Sequence, residues 1–104
     1  MKFTDRFGEE YDLTFKVSSY ANNGNLAVLA ECDDGEPYAT VTKNTERIVS
    51  PNMAFVDTNN CTELIRAMLY NGYIEDALDT YVSGYCIYPL CRFTKKFFDE
   101  VNNG

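Results

Sequence analysis

Glu10-Tyr11-Asp12-Leu13-Thr14-Phe15-Lys16-Val17 alternates polar and apolar side chains without a break. In an extended chain successive side chains point to opposite faces. A period of two therefore predicts a strand with Tyr11, Leu13, Phe15 and Val17 on a buried face and the residues between them in water. Residues 2–7 read as its hairpin partner, turned at Gly8-Glu9. Asn22-Asn23-Gly24-Asn25 is turn chemistry, because Asn and Gly tolerate positive φ. Leu26 to Cys32 reads as a strand, apolar on both faces at first and so central. Asp33-Asp34-Gly35-Glu36 is a second turn, and Tyr38 to Lys43, after Pro37, a β-branched strand. The first 43 residues thus predict an antiparallel meander of about four strands.

Beyond it, residues 44–52 have no period and read as a loop, and Met53 to Val56 as a short strand. Asn60 and Glu63 stand at capping-box spacing. Cys61, Leu64, Ile65, Met68 and Leu69 form one apolar stripe, which predicts a helix over 61–71 ended by Asn71-Gly72. Residues 73–84 are ambiguous. Ile74, Ala77, Leu78 and Tyr81 suit a helical period, while Glu75, Asp76 and Asp79 suit a solvated loop. Tyr85 to Tyr88 reads as a strand interrupted at Pro89, which predicts an edge position or a bulge, since Pro cannot donate to a ladder. Thr94 can cap a short amphipathic helix bearing Phe97, Phe98 and Val101. The expectation is a single α+β domain over 1–104. It would have one antiparallel sheet of about five to six strands, one main helix packed on a face through Leu64, Ile65 and Met68, and a short C-terminal helix.

Composition narrows the function classes. The chain has 104 residues, 45% hydrophobic, with eight Tyr, seven Phe and no Trp. That is enough for one core without staples. Nine basic against sixteen acidic residues give a net charge of −7. Direct binding to nucleic acid or to anionic membranes is disfavoured, because both need Lys and Arg. Residues 1–36 hold eight of the acids against three bases, so the first third is the acidic surface. The start lacks an apolar leader core, and the run Leu26 to Ala30 is too short to span a bilayer, so a cytoplasmic location is expected. Cys32, Cys61, Cys86 and Cys91 make no C-x-x-C, and with no His a zinc site is disfavoured. Free thiols are expected.

Signs of catalysis are absent. Without His the commonest general base and the usual nucleophile pairs are missing. The glycines are scattered, with no phosphate-binding fingerprint. Asp33-Asp34-Gly35-Glu36 lacks the ligand register of a calcium loop. Arg92, next to Cys91, is of a kind that can lower a thiol pKa, but no base accompanies it. No cofactor and no metal are expected.

Five stretches together carry a resemblance: residues 7–14, 20–28, 35–42, 55–60 and 83–90, the last being Ser83-Gly84-Tyr85-Cys86-Ile87-Tyr88-Pro89-Leu90. Their order resembles a family of small bacterial proteins known only as a domain of unknown function. Its members are common on conjugative elements, plasmids and phages. The resemblance runs to about Phe93, and the helix after it looks like a departure. It implies genomic context rather than mechanism. By analogy with small acidic anti-restriction and anti-CRISPR proteins, it suggests a non-enzymatic inhibitor of a host defence system. The candidate partner-binding residues are Glu9, Glu10, Asp12, Asp33, Asp34 and Glu36, which would imitate phosphates toward a basic, nucleic-acid-binding protein. An accessory module docking through an apolar or aromatic patch is the alternative, and a small enzyme with an unrecognised site a second.

Overall fold

The computed structural model describes residues 1–103. Eight strands and two helices follow in the order β1 (Lys2–Thr4), β2 (Glu10–Asp12), β3 (Thr14–Ser19), β4 (Leu26–Glu31), β5 (Pro37–Thr40), β6 (Met53–Phe55), α1 (Thr62–Tyr70), β7 (Ile74–Ser83), β8 (Cys86–Phe93) and α2 (Lys95–Asn103). The class is α+β and the pairings are antiparallel. The strands do not form one sheet of five or six. They form a β1–β2 ribbon and two three-stranded sheets, ordered β3-β4-β5 and β6-β8-β7.

The division begins inside the alternating stretch. β2 pairs with β1, and β3 pairs with β4. Leu13 still belongs to the β1–β2 register: its N–H donates to the Met1 carbonyl at 2.8 Å and its carbonyl accepts from the Met1 amino group at 2.7 Å, and the chain changes partner only after it. Leu13 is fully buried and Phe15 nearly so, but Tyr11 is only half-buried and Val17 is 37% exposed. The buried face therefore fades at its end. β4 is central in its sheet, with Leu26, Val28 and Ala30 buried. β5 ends at Thr40. The chain after it stitches the two larger sheets together: Val41 N–H donates to Val28, Asp57 N–H to Val41 and Lys43 N–H to Phe55.

Residues 74–83 are neither helix nor loop but the strand β7, paired along β8. Ile74 enters the main core, Ala77 and Tyr81 a satellite cluster around Phe55, Tyr88 and Leu90, and Leu78 is 90% exposed. No single helical face collects them. The register slips between Asp76 and Thr80. Within that bulge Leu78 has φ of 58°, held by its N–H donating to the Asp76 carboxylate at 2.8 Å.

Pro89 lies in the central strand β8, not at an edge, and the expected bulge falls in its partner β7, between Asp76 and Thr80 opposite the step from Cys91 to Pro89. The two-residue turn Gly84-Tyr85 joins Ser83 to Cys86, with Gly84 at φ 60°. Hydrogen-bonded and non-bonded pairs alternate from that closing pair, so Pro89, opposite Thr80, needs no N–H toward β7. Its carbonyl instead faces away from β7 and accepts the Val56 N–H at 3.0 Å.

α1 buries Leu64, Ile65 and Met68 as its stripe predicts, but Leu69, expected on the same stripe, is 41% exposed, and Gly72 at φ 77° ends the helix. The expected capping box does not form. Cys61 is the N-cap residue, and Glu63 instead pairs with Arg6 at 2.7 Å. The helix nearest β3 is α2, through Phe97 against Phe15, with ring centroids 5.4 Å apart. Both helices share one core cluster with Leu13, Phe15 and Val28.

Candidate partner-binding surface

The acidic residues sit on two turns and the short strand between them. In the β1–β2 turn, Asp5 Oδ1 accepts the N–H of Phe7 at 2.8 Å and of Glu9 at 3.0 Å. Asp5, which sequence reasoning left out of the site, therefore shapes the loop that presents Glu9. Its signal was an Asp opening a turn, where its side chain can bond backbone N–H groups. In the β4–β5 turn, Cys32 N–H donates to Glu36 at 2.8 Å and Asp34 Oδ1 accepts the Glu36 N–H at 3.0 Å. Asp34 thus spends one oxygen on its own turn.

Aromatic rings join the two turns. Tyr11 and Tyr38 stand 4.8 Å apart between centroids, and Phe3 packs against both. Beside them a groove of about 330 Å³ is lined by Lys2, Phe3, Thr4, Glu10, Tyr11, Asp12 and Asp33. Of the six sequence-chosen acids, the fold brings Glu10, Asp12 and Asp33 into this groove. Asp34 and Glu36 lie on the same turn as Asp33, outside the lining, and Glu9 lies at the β1–β2 turn. All six are exposed.

The electrostatics are one-sided. Among the described residues Glu9, Glu10, Asp33, Asp34 and Glu36 make no ion pair, while Asp12 lies 3.9 Å from the Met1 amino group. Burial, then Asp5 and Glu9, push the Tyr11 phenol pKa up. Burial, then Asp34, Asp33 and Glu36, do the same to the Cys32 thiol. Each added negative charge there would face negative neighbours.

A cleft of about 550 Å³ runs between the β1–β2 turn and the start of α1, but its Arg6 is paired with Glu63. Its thiol, Cys61, is pushed up to about 12 by burial and then by Asp57. Arg92 turns away to Glu75 at 3.0 Å, and burial, then Asp76, push Cys91 up to about 11. The arginine does not activate its neighbour. All four cysteines are free. Among the described residues no three His, Cys, Asp or Glu side chains are placed to hold a metal, and no helix is long and apolar enough to cross a membrane.

A model of a domain of unknown function, DUF4313, matches residues 14–103. The chain belongs to that family. No curated protein and no solved structure matches it. The match corrects the extent of the resemblance at its C-terminal end. It includes α2, so the C-terminal helix is no departure, and it begins after the 7–13 stretch. Asp33, Asp34 and Glu36 fall inside the DUF4313 region, while Glu9, Glu10 and Asp12 precede it.

A second surface was not singled out from sequence. Residues 80–91, from Thr80 to Cys91, carry no charged side chain. They form most of the β7–β8 hairpin, where Val82 is 63%, Tyr85 107% and Ile87 59% exposed. Val82 and Ile87 are cross-strand partners beyond the reach of the core. The signal was a long neutral run in a chain of net charge −7.

Proposed function

We propose that the chain is a non-enzymatic protein-binding module of the cytoplasm whose acidic end takes a basic protein surface. The observation that carries this reading is the group of five acids, on two adjoining turns and the start of β2, none of which makes an ion pair among the described residues. Fixed carboxylates on a rigid scaffold offer Lys and Arg the same charge pattern as phosphates and compete for the same side chains. The narrower form makes the partner a nucleic-acid-binding enzyme of host defence and the chain an anti-restriction or anti-CRISPR type inhibitor carried by a mobile element. It rests on the resemblance and its analogy.

The test is D33N/D34N/E36Q, which removes three charges and keeps the shape, including an amide oxygen for the Glu36 N–H. Exposed charge changes alter stability by a few tenths of a kcal/mol, so the fold persists. Affinity for a basic partner isolated from the native host is expected to fall, mainly through slower association, together with its salt dependence. Unchanged binding at low and physiological salt refutes the acidic reading.

The neutral hairpin favours a second reading, docking through an apolar patch. Such docking does not weaken as salt rises.

A further inference from the structure

The hairpin of that second reading has an open backbone edge as well as apolar side chains. β7 is the outer strand of its sheet. Counting from the closing pair Ser83–Cys86, the pairs Tyr81–Tyr88 and Ser83–Cys86 exchange ladder hydrogen bonds, and Val82–Ile87 and Thr80–Pro89 do not. The partners on β8 agree. The Pro89 and Ile87 carbonyls accept from Val56 N–H at 3.0 Å and from the Thr58 hydroxyl at 3.3 Å, both away from β7. Thr80 and Val82 therefore turn their backbone groups outward. The Thr80 N–H is taken by the Asp79 carboxylate at 2.8 Å. The Thr80 carbonyl and the N–H and carbonyl of Val82 face the open edge.

We propose that this edge pairs with the same edge of a second copy of the chain, antiparallel about Val82. The proposal rests on the docking reading of the hairpin and commits it to one occupant. Three observations select a second copy. First, the edge is self-complementary. Val82 opposite Val82 of the second copy exchanges both N–H···O bonds, as a bonded antiparallel pair does. The same pairing sets Ile87, Val82, and Val82 and Ile87 of the second copy in one apolar strip across four strands, covering side chains that are 59% to 63% exposed in the single chain.

Second, the register keeps like charges apart. Asp79 falls opposite Tyr85 of the second copy, and the two Asp79 side chains lie six positions apart. That is about 20 Å along the strands at ~3.3 Å per residue, beyond the Debye length of about 8 Å at physiological salt. Third, two chains of net charge −7 repel over most approaches, and the twelve uncharged residues of the hairpin let them meet with little local charge. The bulge at 77–79 limits the pairing to the segment after it, and because both copies use the same β7 edge the pairing closes as a two-fold dimer instead of propagating.

The experiment is sedimentation equilibrium from micromolar to millimolar chain, paired with amide hydrogen exchange at Val82. The expected result is a concentration-dependent rise toward twice the 11.8 kDa chain mass. Added salt should strengthen it, because salt screens the net repulsion. The Val82 amide, open to solvent in the single chain, should gain protection in step. V82K places two cations together on the two-fold axis and is expected to weaken self-association on the order of a hundredfold. Y70K adds the same charge at a site on α1 that is 91% exposed, and should leave self-association no weaker. Circular dichroism confirms that both variants are folded.

A chain that stays at 11.8 kDa throughout, with a fast-exchanging Val82 amide, overturns the proposal. So does a dimer that V82K leaves intact. If the chain is monomeric, the broader docking reading is judged separately, by whether V82K releases a partner that wild type retains.

Discussion

Phe97→Ala tests whether α2 is part of the core or an appendage. Phe97 is fully buried, with its ring 4.9 Å from Phe93, 5.4 Å from Phe15 and 5.1 Å from Phe98. Truncation removes the ring's transfer free energy and leaves a cavity that three aromatic neighbours cannot fill without moving. Phe→Ala at such a site costs about 3–5 kcal/mol. Ala is the better helix former, which returns roughly half a kcal/mol. The net loss of about 2.5–4.5 kcal/mol is a large share of the roughly 5–15 kcal/mol that a domain of this length has in total. In urea the midpoint is expected to fall by about 1 M or more at unchanged slope, and the thermal midpoint by at least roughly 10 °C. Tyr70→Ala, on the exposed surface of α1, is the control and should stay within about 0.5 kcal/mol. A loss below about 1 kcal/mol for Phe97→Ala would refute the packing of α2 against β3 and, with it, the physical reason for its place in the family's matched region.

Two further outcomes follow from the backbone and the thiols. Leu78→Asn is expected to stabilise by on the order of 1 kcal/mol in a thermal melt, because Leu at φ 58° bears a steric cost that Asn largely avoids, and its side chain, 90% exposed, gives up little burial. A lower melting temperature would show that Leu78 is packed or that its φ is relaxed. Cys32 and Cys86, half-buried, should react first with a disulfide reagent at mildly alkaline pH, and Cys61 and Cys91 only on unfolding. The two buried thiols stand at about 12 and about 11 against an ordinary 9.0, so the unfolded chain ionises first. Their contribution to stability is complete below about pH 9 and declines as pH rises toward 11, which alkaline denaturation curves of C61A and C91A should show by a shallower decline.

The helix over α1 was legible because Leu64, Ile65 and Met68 all meet one core, so a single period of 3.6 describes them. β7 was illegible for the opposite reason. Ile74, Ala77, Leu78 and Tyr81 are spaced like a helical stripe, yet they go to the main core, the satellite cluster, solvent and the satellite cluster again. A bulge breaks period two in the middle, so neither template fits. The sheet division was hidden in the same way. Alternation runs unbroken through Leu13, but β1 ends with Met1 opposite Leu13, so from Thr14 onward the chain must take a new partner, and that partner, Glu31, lies outside any local window. Pro89 misled only in part. The argument that a proline avoids ladder positions holds, but in an antiparallel ladder every second N–H already points away from a given neighbour. A proline can therefore sit beside β7 in a central strand. At the surface, acids could be counted but not placed. Asp33 was joined to Glu10 and Asp12 by tertiary packing of Phe3, Tyr11 and Tyr38, while Glu9 was left aside.

The two surfaces answer oppositely to salt, and that difference separates their roles without knowledge of a partner. Attraction of a basic surface to Asp33, Asp34 and Glu36 is strongest at low ionic strength, where repulsion between two copies of a −7 chain is also strongest. Low salt therefore favours the partner-bound single chain, and rising salt favours self-association through the neutral hairpin. A basic partner would also lower the net charge of the complex and so relieve the repulsion that opposes pairing at Val82. If both surfaces operate, partner binding and dimer formation are positively linked, and by reciprocity the dimer binds the partner more tightly than the single chain does. The family match covers the β4–β5 turn and the whole β7–β8 hairpin but not Glu9, Glu10 and Asp12. Asp33, Asp34, Glu36 and Val82 thus all lie within the matched region, and the β1–β2 ribbon adds negative charge beside the acidic site it contains.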